Sequence, residues 1–320
     1  MNLGYACINM SMGKKVTTNR AMVKRTFESK GLDYVSELAL LNAKDIIRIL
    51  EWNRLNGIYF FRLSSALIPW GDHLDLTQLK DYTEIKRELK KAGDFAKFWN
   101  MRITSHPGPF VVLTSPNEKV VTNAIADLEL HAKVFDMMGL SKTPFNKINI
   151  HCNGVYGDKQ SAMDRFCENF KKLSPSVRKR LTIENDDKAS MYSVKDLMYI
   201  HKQIGIPIVF DYHHHKFCTG ELTEKEALEL AISTWPADIT PIVHYSESKS
   251  LHENNRKLKP QAHSDYIDSL PNTYGHDVDI MVEAKAKELA ILPFVGRDAI
   301  CEYSGLLNVN NYKKYETSAI

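Results

Sequence analysis

Eight short apolar runs recur along the chain at intervals of roughly 25–45 residues, and helical periodicity fills the gaps between them. They are LGYAC (3–7), GIYFFRLS (57–64), MRITSH (101–106), KINIHC (147–152), LTIEN (181–185), PIVFD (207–211), PIVHY (241–245) and VDIMVEA (278–284). The runs are rich in β-branched and aromatic residues and several follow Pro or Gly, as buried parallel strands should. The segments at 35–57, 117–139 and 193–205 carry apolar residues at helical spacing and end on glycine, and Ser193 is a good helix cap. SPNEK and LTEKEALELAIS open with acidic first turns that suit a helix start.

A strand–helix unit repeated eight times is the count of a (β/α)8 TIM barrel. A doubly wound open sheet should carry a Gly-rich phosphate turn after an early strand, and neither GxGxxG nor GxxxxGK[ST] occurs. With no internal repeat, low-complexity tract or linker, the reading is one barrel domain over residues 1–300 and a peripheral C-terminal tail over 301–320. At 43% hydrophobic and 25% charged residues, the chain can bury a substantial core.

No apolar run is long enough to cross a bilayer, and the N-terminus lacks the charged and apolar regions of a secretory leader. The five cysteines are odd in number and widely spaced, without a CxxC pair, which argues against a disulfide framework or a thiolate zinc site. The expected location is a reducing one, the cytoplasm or nucleoid, or the nucleus in a eukaryote. The net charge of +3 excludes no partner. Local basic runs at 86–91, 171–180 and 254–260 are ordinary solvated surface unless they meet phosphate.

Barrel active sites form at the C-terminal ends of the strands, and the polar residues gather there. Successive runs end in His106, His151, Glu184, Asp211, His244 and Glu283, with His214 just past the sixth, His73 in the loop after the second and His263 in the loop after the seventh. A single polar strand end is unremarkable. Six consecutive ones drawn from His, Asp and Glu are not. Glu184 and Glu283 follow apolar stretches, so unpaired anions there would be costly and a cation is the natural compensation. Imidazole and carboxylate without thiolate suit Zn²⁺ or Mn²⁺. Nine candidates exceed the needs of one ion, so two or three ions sharing bridging carboxylates are expected, an apparatus suited to phosphodiester hydrolysis. His131 and His201, in helical stretches, and His252 and His276, in loops, are read as structural.

The motifs resemble those of the UV damage endonucleases across nearly the whole chain. They are LGYACIN, TTNR (17–20), IPWGDH (68–73), SHPG (105–108), HCNGVYGDK (151–159), ENFKKL (168–173), IENDDK (183–188), FDYHHH (210–215), PQAHSDY (260–266) and MVEAKAKE (281–288). The resemblance implies a barrel akin to that of the apurinic-site endonucleases and three divalent ions, Mn²⁺ above all, with Zn²⁺, Co²⁺ or Mg²⁺ as alternatives. It implies that His106, His151 and Glu184 serve one ion with His73 close by. Glu184 would bridge to a second, held by Asp211, His244 and Glu283, and His214 with His263 would hold the third. Glu184, Asp211, Glu283 and His244 form the catalytic set. The implied reaction is a single cut immediately 5′ of a UV photoproduct in duplex DNA, leaving a 3′-hydroxyl. The damaged dinucleotide would be extruded, and no obligate protein partner or membrane is implied.

Tyr5 and Asn9 match family positions that contact the lesion or its flanking phosphate. Lys159, Arg256, Lys257 and Lys259 are expected phosphate contacts. Pro109 and Phe110 stand where the family places Gln-Tyr as duplex probes; Phe110 retains a wedge while the glutamine's hydrogen bonding is lost. Ile242 occupies the position, two residues before His244, where some relatives carry a modified lysine, so no lysine-derived carboxylate is expected there. In the triplet 213–215, the DxxH spacing from Asp211 selects His214. His213 is read as a loop residue and His215 as at most a group that orients a ligand. The alternative function is a metal-dependent sugar isomerase or epimerase, whose barrels also end strands in Glu, Asp and His.

Overall fold

In the computed structural model, which describes residues 1–296, eight parallel strands close a barrel in sequence order. The expected tail at 301–320 lies outside the described residues. The strands are β1 (Leu3–Ala6), β2 (Phe60–Leu63), β3 (Arg102–Ser105), β4 (Ile148–His151), β5 (Leu181–Glu184), β6 (Ile208–Asp211), β7 (Ile242–Tyr245) and β8 (Asp279–Val282). Each falls inside one of the eight apolar runs. The helices are α1 (Lys24–Leu55), α2 (Tyr82–Phe98), α3 (Glu118–Met138), α4 (Lys159–Phe170), α5 (Pro175–Arg178), α6 (Val194–Ile204), α7 (Tyr212–His215), α8 (Glu224–Ile232), α9 (Lys249–His252) and α10 (Glu288–Ile291).

Helix ends follow local chemistry. Ser193 and Thr223 each close a capping box, on α6 and α8, and Gly139 and Gly205 end α3 and α6 in the left-handed region. The first helix runs further towards the N-terminus than its apolar periodicity, because the solvated turn from Lys24 onward has no apolar stripe; the backbone breaks at Gly31.

Two separate apolar cores result. The larger lies between strands and helices; the smaller joins Ala6, Phe60, Val209, Trp235, Ile242 and Met281 inside the barrel. Gly4 faces that interior, and a Cβ there would sit 2.5 Å from the Phe60 ring, so the ring requires a glycine. Below this plug, Arg102 donates to the Asp279 carboxylate (2.8 Å) and to the carbonyls of Thr240 and Phe145 (2.8 and 3.0 Å). The Asn2 amide also donates to Asp279, which ties β1, β3 and β8 at the barrel floor. The apolar plug thus separates a closed floor from a polar mouth.

Register delivers the mouth. His151 pairs with Glu184 across β4–β5 and Asp211 with His244 across β6–β7. Because side chains alternate, the residues two before these point the same way, into the barrel. We predict that Asp279→Ala, which strands a buried guanidinium, lowers unfolding free energy in urea by about 3–5 kcal/mol.

Candidate metal centre

Glu184, at the end of β5, is buried and sits among four histidines. His244 Nδ1 lies 3.0 Å, His106 Nε2 3.3 Å and His151 Nε2 3.9 Å from its Oε2, and His214 Nδ1 lies 3.4 Å from its Oε1. Asn149, held by Thr182, donates to the same Oε2. Ligand-capable atoms of His106, His151 and Glu184 all lie within 4.8 Å of one another, as do those of Glu184, Asp211 and His244. Glu283 joins through His244 Nδ1 (3.3 Å), and His263 Nδ1 lies 3.8 Å from Glu283 Oε2.

Eight of the nine expected ligands therefore converge. His73 does not: half-exposed in the loop after β2, it faces Asp72 (3.3 Å) and the Trp70 ring.

Ring orientation is fixed from behind. The Nδ1 atoms of His106, His214 and His263 face the carbonyls of Pro107, Asn185 and Glu283 at 3.0, 2.9 and 3.0 Å, which frees each Nε2 to ligate. For His151 the same service comes from Asp186, whose Oδ1 lies 3.1 Å from Nδ1. Asn185 bonds both backbone groups of Asp211 across β5–β6. His244 is reversed: its Nε2 lies 3.0 Å from Lys147 Nζ, so its Nδ1 turns towards the carboxylates. Ile242 packs into the apolar plug, and the lysine beside His244 comes from the opposite wall, at the foot of β4.

The electrostatics suit a cation. Burial raises the Asp211 carboxyl to about 7 against the pull of His214, and its Oδ2 has no hydrogen-bond partner; nor has Glu184 Oε1. Burial pushes His244 down to about 4 and the Lys147 ammonium well down. Burial opposes ionisation of Glu184 and Glu283 as well, but His244 and Arg62 respectively hold them well below the usual carboxylate range. Burial lowers His151 too, yet Glu184 and Asp186 outweigh it and raise the imidazole to about 10. Unpartnered buried oxygens converging with imidazoles are the donor set of a hard or borderline divalent ion, so the residues fit the expected metals.

The remaining expected contacts divide. A turn closed by Val111 N–H to Gly108 O (3.2 Å) puts Pro109 beside the mouth and Phe110 at the tip, 87% exposed. Arg256, Lys257 and Lys259 are exposed on the loop after β7. Tyr5 and Asn9, by contrast, are buried: Asn9 donates to the Tyr5 hydroxyl (2.8 Å), which donates to Asn53 (2.7 Å), so both support the β1 loop from beneath. Lys159 is engaged by Asp196 at 3.0 Å.

Of the adjacent histidines, His213 is not a simple loop residue. It is buried, faces Gln261 O (3.2 Å) and packs edge-on against His263. His215 packs on Phe210 and touches no expected ligand among the described residues. The His263 loop is held further by the Ser248–His263 bridge and by Glu247, which accepts from Tyr245, His252 and the Asp268 amide.

Four residues escaped the strand-end inventory: Arg62, Lys147, Asn149 and Asp186. The first three were legible as polar residues inside or abutting buried strand runs; Asp186 had no periodic signal.

The comparisons with known proteins bear on this site. A family model described as UV-endonuclease UvdE matches residues 1–315. The chain belongs to the UV-endonuclease family. A UV-damage endonuclease of Schizosaccharomyces pombe is 36% identical over 307 residues, 92% of this chain but only 50% of that longer protein. A UV DNA damage endonuclease of Clostridium perfringens is 32% identical over 318 residues, 98% of this chain and 74% of that one. The crystal structure of SacUVDE superposes with a TM-score of 0.80 at 34% identity, covering 92% of this chain and 96% of that one. Endonuclease IV from Thermus thermophilus (TM-score 0.56, 10% identity, 94% and 99% covered) and D-psicose 3-epimerase from Clostridium cellulolyticum (0.50, 11%, 89% and 85%) share the barrel alone.

We predict that Asp186→Asn, leaving the fold intact by circular dichroism, weakens Mn²⁺ binding about 10–100-fold in titration calorimetry. Because His151 is protonated up to about pH 10 in the metal-free protein, an ion at its Nε2 must displace that proton. Mn²⁺ affinity should rise with pH between about 6 and 8, with proton release visible in buffers of different ionisation enthalpy.

Proposed function

We propose that the chain is a DNA repair endonuclease that hydrolyses the phosphodiester immediately 5′ of UV photoproducts in duplex DNA, leaving a 3′-hydroxyl, with three divalent ions, Mn²⁺ foremost. The observation that carries the reading is Glu184, one buried carboxylate common to two ligand-capable triads. His106, His151 and Glu184 would hold one ion, Glu184, Asp211, His244 and Glu283 a second, and His214 with His263 the third. Bound ions would supply an activated water and a stabilised leaving oxygen.

The protein's own groups perform the rest. Asp186, Lys147 and the strand-end carbonyls preset the imidazoles, so little reorganisation accompanies reaction. The mouth opens into a cleft of about 680 Å³ lined by Cys7, Arg62, His106, His151, Asn153 and Glu283. Around it stand exposed apolar side chains on four strand-end loops: Met10, Phe110, Tyr156 and Tyr266. Such groups wedge into or stack against bases where a lesion has already weakened pairing. Phe110 carries the probing role alone, since Pro109 offers no donor, and lesion choice would follow the ease of unstacking more than hydrogen bonding. Arg256, Lys257 and Lys259 approach phosphates further along the duplex. The substrate places the protein in the nucleoid, or the nucleus of a eukaryote, without an obligate protein partner. A sugar epimerase would need a small closed pocket and has no use for exposed aromatic tips.

With Mn²⁺ added, the protein should nick UV-irradiated duplex on a denaturing gel; absence of incision under metal-loaded conditions would refute the proposal. Glu184→Ala should lose at least about three orders of magnitude in incision rate while damaged duplex still binds. Phe110→Ala should bring the ratio of cleavage on damaged and intact duplex closer to one, and an unchanged ratio would remove it as a probe.

A further inference from the structure

We propose that Arg62 and Lys287 form a phosphate-binding pair on the β8–β1–β2 side of the cleft, gripping a backbone phosphate of the DNA strand next to the metal centre. This deepens the endonuclease reading and rests on it. Arg62 projects from a strand run that is otherwise apolar, FFRL. Its Nη1 pairs with Glu283 Oε1, its Nε is buried without a hydrogen-bond partner, and the side chain lines the cleft.

Lys287 lies just beyond β8. Among the described residues it makes no hydrogen bond or ion pair through its ammonium, although it is only partly exposed. Burial lowers its pKa, and the charges nearest to it are Cys7, Arg62, Lys285 and Glu283. Two cations thus approach one carboxylate. If Glu283 turns to an ion, both lose their only common anion, and a phosphate oxygen answers that deficit with charge-assisted hydrogen bonds.

The backbone adds an independent observation. Leu289 N–H bonds to Ala286 O (3.1 Å), and Lys287 sits at φ 57° and ψ −127°. That is the first central position of a type II′ turn, which belongs to glycine. A lysine held there against its own conformational preference, at a cleft wall, with its ammonium unpaired, is strain retained for a ligand rather than for packing. The turn is anchored independently of the lysine, since Glu288 accepts from the Ser11 amide (2.7 Å) and hydroxyl (3.0 Å).

The test compares Lys287→Gly, Lys287→Arg and Arg62→Gln with the parent, all Mn²⁺-loaded. Binding to the nicked duplex that the parent produces from UV-irradiated DNA is followed by fluorescence anisotropy across a KCl series. Losing one phosphate contact reduces the slope of log K against log[salt] by about 0.9. The expected result is that reduction in Lys287→Gly and in Arg62→Gln, with the parent slope kept by Lys287→Arg. Lys287→Gly should also melt a few degrees higher than the parent, because strain is relieved as the contact is lost. A parent slope in Lys287→Gly or Arg62→Gln overturns the pair. So does a lower melting temperature in Lys287→Gly, which would mark a packing role. A parent that fails to nick irradiated DNA defeats the endonuclease reading itself and is seen before any variant is made.

Discussion

The arrangement at the barrel mouth depends on one buried carboxylate. Glu184 is removed from water, lies within ion-pair distance of four histidines, and keeps one oxygen without a hydrogen-bond partner. Desolvation alone would protonate it; the surrounding imidazoles hold it ionised. The cost surfaces next door, where Asp211 rises to about 7 with an unpartnered oxygen of its own. A divalent ion between these two carboxylates relieves both problems, which is why their geometry and their titration lead to the same cation.

The barrel makes this tenable by separating functions along its axis. The floor is closed by Arg102 and Asp279, the middle by an apolar plug around Phe60 and Met281, and polar atoms collect only above that plug. Parallel register then decides which ligands meet: His151 stands beside Glu184 and Asp211 beside His244 because their strands are paired in that register. The same alternation carries Arg62 and Lys147 into the interior, where they face Glu283 and His244. Two cations among three carboxylates keep the metal-free mouth from bursting apart by like-charge repulsion.

All eight strands were legible because a barrel strand is buried on both faces and reads as an unbroken apolar run. The long helices were legible from spacing, with Gly139 and Gly205 marking their ends. Strand-end position identified Glu184, Asp211, His244 and their partners, since fold class alone says where such residues point. Loop residues resisted this logic. His73 follows β2 in sequence yet turns to Asp72, and Tyr5, read as a contact, is an interior residue hydrogen-bonded to Asn53. Neither burial of an aromatic nor the direction of a loop is written in local periodicity. His213 and Asp186 were missed for the related reason that residues which aim a ligand are recognised only once the ligand's position is known.

The account stands on the buried carboxylates being a shared seat for several ions. The most direct measurement is equilibrium dialysis of the purified protein against Mn²⁺, with bound metal counted by elemental analysis for the parent and for Glu184→Gln. The account predicts three equivalents in the parent, and a loss of at least two in the variant because a bridging ligand is gone. Fewer than two equivalents in the parent, or an undiminished count in Glu184→Gln, would contradict it.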